Sequence, residues 1–141
     1  TGRILSQYNV GAQARRTENQ HWHGQDMLEI HPHDAQERGI KNGDNLGVSS
    51  RAGNTVLAAK ITERMQPGVV YTTFHHPESG ANVVTTDNSD WATNCPEYKV
   101  TAVQVEKVSA PSKWQQRQKE FASQQTNFLP KKRQGKRRNN E

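Results

Sequence analysis

Short β-type segments separated by turn residues run through most of the chain, and this pattern constrains the fold more than any other feature. Within the segments, apolar or β-branched residues alternate with polar ones, and glycine, proline or asparagine lies between them. We predict strands at residues 3–8, 27–31, 46–50, 55–62, 69–74, 83–86 and 99–108. Six or seven short strands with one or two short helices indicate a closed or nearly closed β-barrel.

A short helix at residues 32–39 is the clearest local signal. Pro32 suits the first turn of a helix, Arg38 lies in the last turn, and Gly39 occupies the position that favours a left-handed cap. Residues 51–54 predict a hairpin turn between two strands, and residues 42–44 predict a tight turn. We therefore place one β-domain at residues 1–108.

The composition changes after this β-domain. Residues 109–129 predict a linker and a polar helix, with Trp114, Phe121 and Phe128 as its few apolar anchors. Residues 130–141 predict a disordered tail that holds six of the 19 basic residues and one of the 14 acidic ones. The other 129 residues carry 13 charges of each sign, so the tail accounts for the net charge of +5. A nucleic-acid-binding face on the β-domain is therefore not expected.

The sequence also indicates the redox environment, the absence of a long apolar run and the relation of this chain to a longer protein. The single cysteine, Cys95, excludes an internal disulfide and favours a reducing compartment, and we expect a half-buried structural thiol. No apolar run approaches the roughly 20 residues of a membrane span. The chain begins at Thr1 rather than methionine and enters a predicted strand at once, which is typical of a fragment of a longer protein.

The first candidate binding segment is the N-terminal run. Gly2 would let a ligand approach the backbone closely, and Arg3 offers a planar fork of donors that suits a phosphate. Gln7 and Tyr8 add neutral hydrogen-bonding groups. The alternative is an ordinary first strand with a solvated arginine.

The second candidate is the long polar stretch at residues 71–100, because a loop of this length in a compact domain commonly holds a ligand. His75, His76 and Asn82 could read or stack on the edges of a heterocycle, or they could merely turn and cap the chain. Tyr98 could cover a ring and Lys99 could neutralise a phosphate. Alternatively, Tyr98 is a core residue and Lys99 is exposed on a strand edge.

Two His-x-His pairs, at residues 21–23 and 31–33, raise the question of a metal site. Pro32 disrupts strand geometry in the second pair, and the first pair lies in a predicted loop. Neither pair has the spacing to further ligands that a structural zinc site requires. We predict no metal ligands, and Cys95 lacks the base that a catalytic nucleophile needs.

Four segments, in this order, resemble the C-terminal domain of the formate dehydrogenase catalytic subunit, especially of the soluble NAD-linked type. They read TGRILSQYNVGAQARR, LEIHPHDAQERGIKNGD, SRAGNTVLAAKITERMQPGVVYTTFHHPESGANVVT and TNCPEYKVTAVQV. The resemblance covers about residues 1–108. It implies a mainly β fold, a double-psi β-barrel with short helices, which closes over a bis-(molybdopterin guanine dinucleotide) cofactor carrying molybdenum or tungsten.

The resemblance also implies which residues hold this cofactor. They are Thr1, Gly2, Arg3, Ile4, Leu5, Ser6, Gln7, Tyr8, Phe74, His75, His76, Asn82, Tyr98 and Lys99. In that family the metal-ligating residue and the iron–sulfur cysteines lie in upstream domains, and Cys95 does not lie in those motifs. We therefore expect no catalytic residue here and no formate oxidation by this chain alone.

The implied protein is a cytoplasmic oxidoreductase in which this domain contacts upstream domains of the same subunit and other subunits. Formate would yield CO2, with electrons passing through iron–sulfur clusters elsewhere to an acceptor such as NAD. Membrane association is not expected, and nucleic acid is an unlikely partner. Two alternatives remain: a related molybdopterin oxidoreductase with another substrate, and a stand-alone β-barrel protein that binds nucleic acid through its basic tail.

Overall fold

The computed structural model describes residues 2–128, so Thr1 and the predicted tail at residues 130–141 lie outside the described residues. Five strands and two α-helices follow one another along the chain. They are β1 (Met27–Ile30), α1 (Pro32–Glu37), β2 (Asn45–Ser49), β3 (Asn54–Ile61), β4 (Val70–Tyr71), β5 (Gln104–Lys107) and α2 (Lys113–Phe128). The described residues also contain four short 3-10 turns, at Ala14–Arg16, Glu18–His21, Pro77–Ser79 and Ala81–Val84.

The five strands form one mixed sheet in the order β4-β1-β3-β2-β5. β1 and β3 run parallel, with Met27 opposite Ala58 and Ile30 opposite Ile61. The other three neighbouring pairs are antiparallel. The sheet curls into half of a barrel, with β4 and β5 at its edges. A mainly β fold is therefore confirmed, whereas complete closure with a double-psi crossover stays a prediction.

The core lies on one face of this sheet, as the alternating sequence pattern predicts. Every second residue of β3 is buried, and the buried residues of β1 and β2 pack beside them. The buried cluster consists of Leu28, Ile30, Ala35, Ile40, Leu46, Val48, Leu57, Ala59 and Val84. Removing these side chains from water is the main favourable contribution to folding.

The predicted helix, hairpin and tight turn are confirmed. In α1 Pro32 lies in the first turn, His31 Nδ1 accepts from the His33 amide at 3.1 Å, and Gly39 follows with a φ of 61°. β2 and β3 pair as the predicted hairpin, with Ser49 opposite Asn54.

The strand predicted at residues 3–8 is wrong. Gly2 forms a single bridge to Thr73, and the chain then turns, with the Gln7 amide donating to the Ile4 carbonyl at 3.4 Å. Leu5, half of the apolar content on which the prediction rested, is fully exposed. A segment with so little inward-facing apolar surface gains little from joining the sheet.

The strand predicted at residues 83–86 is also wrong, because residues Ala81–Val84 form a 3-10 turn. Gly80, at a φ of 60°, reverses the chain, and its carbonyl accepts from the Val83 amide at 3.0 Å. Two further strands are shorter than predicted, namely β4 and β5. Cys95 is exposed rather than half-buried, since it lies in a surface turn in which its own carbonyl accepts from the Asp90 amide.

The polar helix predicted within residues 109–129 is confirmed as α2. It begins with a capping box: the Ser112 amide donates to Gln115 Oε1 at 2.9 Å, and the Gln115 amide donates to Ser112 Oγ at 3.3 Å. The helix contacts β3 and the 3-10 turn Pro77–Ser79. Within residues 2–128, no helix has the length and apolar character needed to cross a bilayer.

Candidate functional site

The buried carboxylate of Asp26 organises the chain that follows β4. It accepts hydrogen bonds from the His75 amide at 3.1 Å, the His76 amide at 2.9 Å and Ser79 Oγ at 2.6 Å. The Thr73 hydroxyl also donates to it, and His76 Nδ1 lies 3.2 Å from Oδ1. One side chain placed just before β1 therefore fixes the backbone of two predicted cofactor residues.

These donors also determine the charge of Asp26. Burial by itself raises the pKa of this carboxyl, but the hydrogen bonds from Ser79, Thr73 and His76 favour the ionised form more strongly. The net result is a pKa below the usual 3.8. Asp26 is thus a fixed negative charge that accepts hydrogen bonds and does not supply protons near neutral pH.

His75 joins the two predicted binding segments. Its side chain is fully buried, and its Nδ1 contacts the carbonyl oxygen of Asn9. Because a carbonyl can only accept, Nδ1 carries a proton and donates it to Asn9, which leaves Nε2 as the ring atom that can meet another polar group. Nε2 is buried and has no hydrogen-bond partner among the described residues.

Gln7 presents the same feature in the N-terminal segment. The residue is 3% exposed, and neither Nε2 nor Oε1 of its carboxamide has a hydrogen-bond partner within residues 2–128. A buried amide without partners costs free energy, so such groups usually face a polar ligand, water or another part of the protein. Two of the predicted cofactor residues, Gln7 and His75, thus have buried polar side-chain atoms without a hydrogen-bond partner among the described residues.

Arg3 is exposed and held in place by its neighbours. Its Nε and Nη2 donate to Asn9 Oδ1 at 2.9 and 2.8 Å, and its guanidinium lies 5.0 Å from the centre of the Tyr8 ring. Two of its five N–H groups are used in this way, which leaves donors for an anion.

Gly2 lies against the side chain of Tyr71. A Cβ at this position would lie 2.8 Å from Tyr71 Oη, so glycine is needed for the tyrosine ring. The Tyr71 hydroxyl donates to the Arg3 carbonyl at 3.1 Å. The protein itself thus makes one close approach at Gly2, and a close approach by a ligand stays a prediction.

Aromatic contacts bring the last predicted pair towards the same loop. Phe74 packs edge-on against Tyr98, with ring centres 6.4 Å apart, and lies 5.4 Å from the His75 ring centre. Tyr98 is half-buried and Lys99 is exposed. The structure thus connects residues 2–9, residues 74–76 and Tyr98 through direct contacts.

Three predicted residues remain apart or point elsewhere. The exposed Asn82 lies on the turn Ala81–Val84, which is tied to the β2–β3 hairpin by the hydrogen bond from Ser50 Oγ to the Val84 carbonyl at 2.6 Å. Leu5 is fully exposed, and the buried Ser6 contacts His23 Nδ1 at 3.1 Å.

Two cavities share Gln25 as a lining residue. The first, of about 560 Å³, lies between His76, Ser79, β3 and α2. The second, of about 530 Å³, is lined by Arg3, Ile4 and Leu5 together with side chains of β1, β3 and β4. Residues of both predicted binding segments therefore line a cavity. The N-terminal residues line the second cavity together with side chains of the sheet.

A charge cluster covers the wall of the second cavity. The nearly buried Glu29 accepts from Arg64 Nε at 2.7 Å and from Lys60 Nζ at 3.2 Å. Arg64 also lies 5.9 Å from the Tyr71 ring centre, and burial together with Glu29 raises the pKa of Tyr71. With Arg3, this wall carries three cations and one anion, which favours an anionic neighbour.

The side chains of the two histidine pairs contact neighbouring residues in the described part of the chain. His21 pairs with Glu18, and His23 contacts Ser6. His33, Asp34 and Glu37 do lie close enough to hold an ion, but His33 and Glu37 are exposed and Asp34 already accepts from the Gly68 amide at 2.7 Å. Such surface clusters are common without a metal.

Asp26 is the organising residue that sequence reasoning missed. An aspartate in a polar loop has no local signal for burial, because its five donors come from residues 47 to 53 positions away. Only its place immediately before an apolar strand marks it, since that position can turn a polar side chain inward beneath the sheet.

Comparison with known proteins places these features in a family. Residues 1–102 match the family described as Molydopterin dinucleotide binding domain. The F420-dependent formate dehydrogenase 1 subunit alpha of Methanococcus maripaludis is 42% identical over 109 residues, which cover 77% of this chain and 16% of that protein. The F420-dependent formate dehydrogenase subunit alpha of Methanocaldococcus jannaschii is 39% identical over 109 residues, with the same coverage.

Two further similarities come from other enzymes. A nitrate reductase of Symbiobacterium thermophilum is 38% identical over 113 residues, covering 77% of this chain and 15% of that protein. The structure of acetylene hydratase from Pelobacter acetylenicus superposes with a TM-score of 0.62 and 18% identity, over 76% of this chain and 17% of that one. This last similarity concerns the fold alone. The chain spans about a sixth of the length of these proteins.

Proposed function

Because this chain belongs to the molybdopterin dinucleotide binding domain family, we propose that it is the cofactor-binding domain of a formate dehydrogenase catalytic subunit. The names of the methanogen relatives support formate as the substrate of the complete protein. The nitrate reductase relative keeps a second proposal open, namely a related molybdopterin oxidoreductase that acts on another small oxyanion.

One observation carries the cofactor proposal: two separate segments present buried polar atoms without partners and meet at one contact. The side-chain carboxamide of Gln7 and His75 Nε2 lack partners among the described residues, and His75 Nδ1 binds the Asn9 carbonyl two residues beyond Gln7. A polar heterocycle with several donors and acceptors fits this requirement, and an apolar ligand does not.

The residues of this chain would divide the work of holding a bis-(molybdopterin guanine dinucleotide). The exposed guanidinium of Arg3 suits a phosphate, and Gln7 and His75 suit the edges of a heterocycle. Phe74 and Tyr98 offer ring faces, and Lys99 adds positive charge. When bound, the cofactor supplies the redox-active molybdenum or tungsten, while the protein provides position and electrostatics.

The other residues of the predicted set complete the proposal with smaller roles. Thr1 lies outside the described residues, and Asn82 would reach the cofactor from the turn Ala81–Val84. Gly2, Ile4, Leu5, Ser6, Tyr8 and His76 would shape the surrounding surface. A double-psi barrel, a cytoplasmic location and contacts with upstream domains and other subunits belong to the same proposal.

The electron acceptor requires a change from the expectation. The sequence resemblance favours the NAD-linked type, but both formate dehydrogenase relatives described above are named as F420-dependent, so their names do not support NAD. We propose F420 as the acceptor of the complete protein, with NAD as the alternative. A formate-dependent assay of the complete protein with each acceptor decides between them.

The proposal is tested on the native polypeptide that carries this sequence, by measuring its intact mass together with its content of pterin, molybdenum and tungsten. We expect a polypeptide several times larger than this chain, with about one metal atom per copy. A free polypeptide of 15.9 kDa without pterin or metal would contradict the enzyme assignment and leave the basic tail as the next lead.

The isolated chain should not oxidise formate, because none of its predicted site residues ligates the metal. Turnover of formate by the chain alone, after reconstitution with cofactor, would contradict this expectation. Nitrate reduction by the complete protein, without formate oxidation, would favour the second proposal.

A further inference from the structure

The helix α2 lies beyond the part of the chain that matches the family, yet it packs on the loop that carries His75 and His76. This loop ends at Gly80, and a Cβ there would overlap the ring of Trp114 on α2. Such a close approach of an indole ring to the backbone is possible only at glycine. Trp114 therefore covers the C-terminal end of the loop.

Gln115, the next residue of α2, holds the helix to the sheet. The first residue of β1, Met27, pairs with Ala58, so residues 54–57 of β3 extend beyond the N-terminal end of β1. In this extension Gln115 Nε2 donates to the Val56 carbonyl at 2.5 Å. The Oε1 atom of the same side chain closes the capping box with Ser112. One glutamine thus both starts the helix and fastens it to β3.

The loop between these two contacts is held from the other side by the protein core. Ser79 Oγ donates to Asp26 at 2.6 Å, and the hydroxyl of Thr55, on β3, donates to the Ser79 carbonyl. Asp26 binds the N-terminal part of the loop, and Trp114 covers its end. The space between them is the cavity of about 560 Å³, lined by His76 and Gln115 among others.

We infer that Trp114 and Gln115 are positioning residues: by docking α2 onto Gly80 and Val56, they hold the His75–Gly80 loop in the conformation that retains the cofactor. This inference rests on the proposed function, in which His75 and His76 face the cofactor. It predicts that loop order and cofactor retention both depend on α2, because removing one side of a clamp lets the loop open locally.

The test uses the complete polypeptide that carries this sequence, with its cofactor bound. Hydrogen exchange is measured on peptides spanning residues 74–84, and cofactor release is followed by the fluorescence of the freed, oxidised pterin. In Trp114→Ala we expect exchange in these peptides to be at least about tenfold faster, with faster release of the pterin. Measurements are made well below the midpoint of thermal unfolding, so that global stability does not dominate.

Three variants keep the test specific. Trp114→Phe should behave like the wild type, because the indole Nε1 has no acceptor among the described residues and only the ring contact is needed. Gln115→Glu keeps the acceptor for the Ser112 amide but loses the donor to Val56, so it should loosen the loop without unwinding α2. Phe121→Ala, at a position of α2 that is 57% exposed, should change neither readout.

Unchanged exchange in both Trp114→Ala and Gln115→Glu would overturn the inference. Faster exchange without faster pterin release would overturn the link between α2 and the cofactor. In that case the variant Asp26→Asn shows whether the loop holds the cofactor at all, since it loosens the same loop from the opposite side. If that variant also retains the pterin, the loop does not hold the cofactor, and the proposed assignment of His75 and His76 fails.

Discussion

Asp26 shows what a single buried charge does for this structure. Five donors from four residues surround its carboxylate, which ties the start of β1 to the chain after β4. Hydrogen bonds to an ionised group are about twice as strong as neutral ones. We therefore regard Asp26 as the residue that fixes the geometry of the candidate site.

Replacing Asp26 with asparagine should destabilise the fold by about 2–3 kcal/mol. The buried NH2 group of asparagine would face the N–H and O–H donors that now bind the carboxylate. Chemical denaturation monitored by tryptophan fluorescence measures the loss. Asp90→Asn is a suitable control, since that carboxylate accepts its hydrogen bonds on an exposed turn. Equal stability of the wild type and Asp26→Asn would show that the network contributes little.

The same substitution should alter how the unfolding free energy depends on pH. Because the folded state lowers the pKa of Asp26 below 3.8, its contribution to stability is present above that pH and is lost as the pH falls through the folded-state value. The difference in unfolding free energy between wild type and Asp26→Asn should therefore be largest above pH 3.8 and shrink below it. A difference that grows on acidification would contradict the ionised state assigned here.

Gln7 allows a second test at the scale of one residue. Since its buried carboxamide has no described partner, Gln7→Met should stabilise the cofactor-free protein by about 1 kcal/mol and weaken cofactor retention. Thermal unfolding without cofactor and the rate of pterin release measure the two effects. The exposed Gln13→Met is the control. Unchanged pterin release would remove Gln7 from the set of binding residues.

At the scale of elements, strand pairs hold the sheet together, and only the β2–β3 pair is a local hairpin. The site is held instead by turns that attach to the sheet through side chains. The turn Ala81–Val84, which carries Asn82, lacks any strand partner and depends on the β2–β3 hairpin. Ser50 makes this attachment through its hydroxyl, which also accepts from the Ala52 amide at 3.0 Å. Gly53 belongs to the same contact, since a Cβ there would lie 2.6 Å from the Val83 carbonyl.

Ser50→Ala should therefore loosen the turn more than the sheet. We expect a loss of about 1–2 kcal/mol in unfolding free energy and faster hydrogen exchange at residues 81–86, because the Val84 carbonyl loses its donor. Ser50→Thr retains the hydroxyl and should restore most of the protection. Exchange that rises equally in β1 would mean that the turn is not a separate unit.

At the scale of the whole molecule, the net charge comes from the tail at residues 130–141 and not from the rest of the chain. Removing residues 130–141 deletes six basic residues and one acidic residue, which lowers the net charge from +5 to zero. We expect the truncated complete protein to retain its pterin and to lose any salt-dependent binding to nucleic acid. Pterin loss on truncation would assign the tail to the cofactor site, and salt-dependent nucleic-acid binding that persists without the tail would contradict the charge argument.

The sequence alone determined the features that depend on neighbouring residues. Alternation at every second position located β2 and β3, and Pro32 with Gly39 located α1. These patterns succeed because side-chain direction and turn conformation are local properties of the backbone. The family resemblance supplied the candidate binding residues, which periodicity and spacing could not identify.

Tertiary structure decided the rest, because the site is made of contacts between residues far apart in the chain. Asn9 and His75 are 66 positions apart, and no local pattern predicts that a carbonyl meets an imidazole over that distance. The apparent strands at residues 3–8 and 83–86 became turns since neither found a partner along the sheet. Asp26 and Trp114 acquired their roles in the same way, from packing against a loop whose position only the folded chain defines.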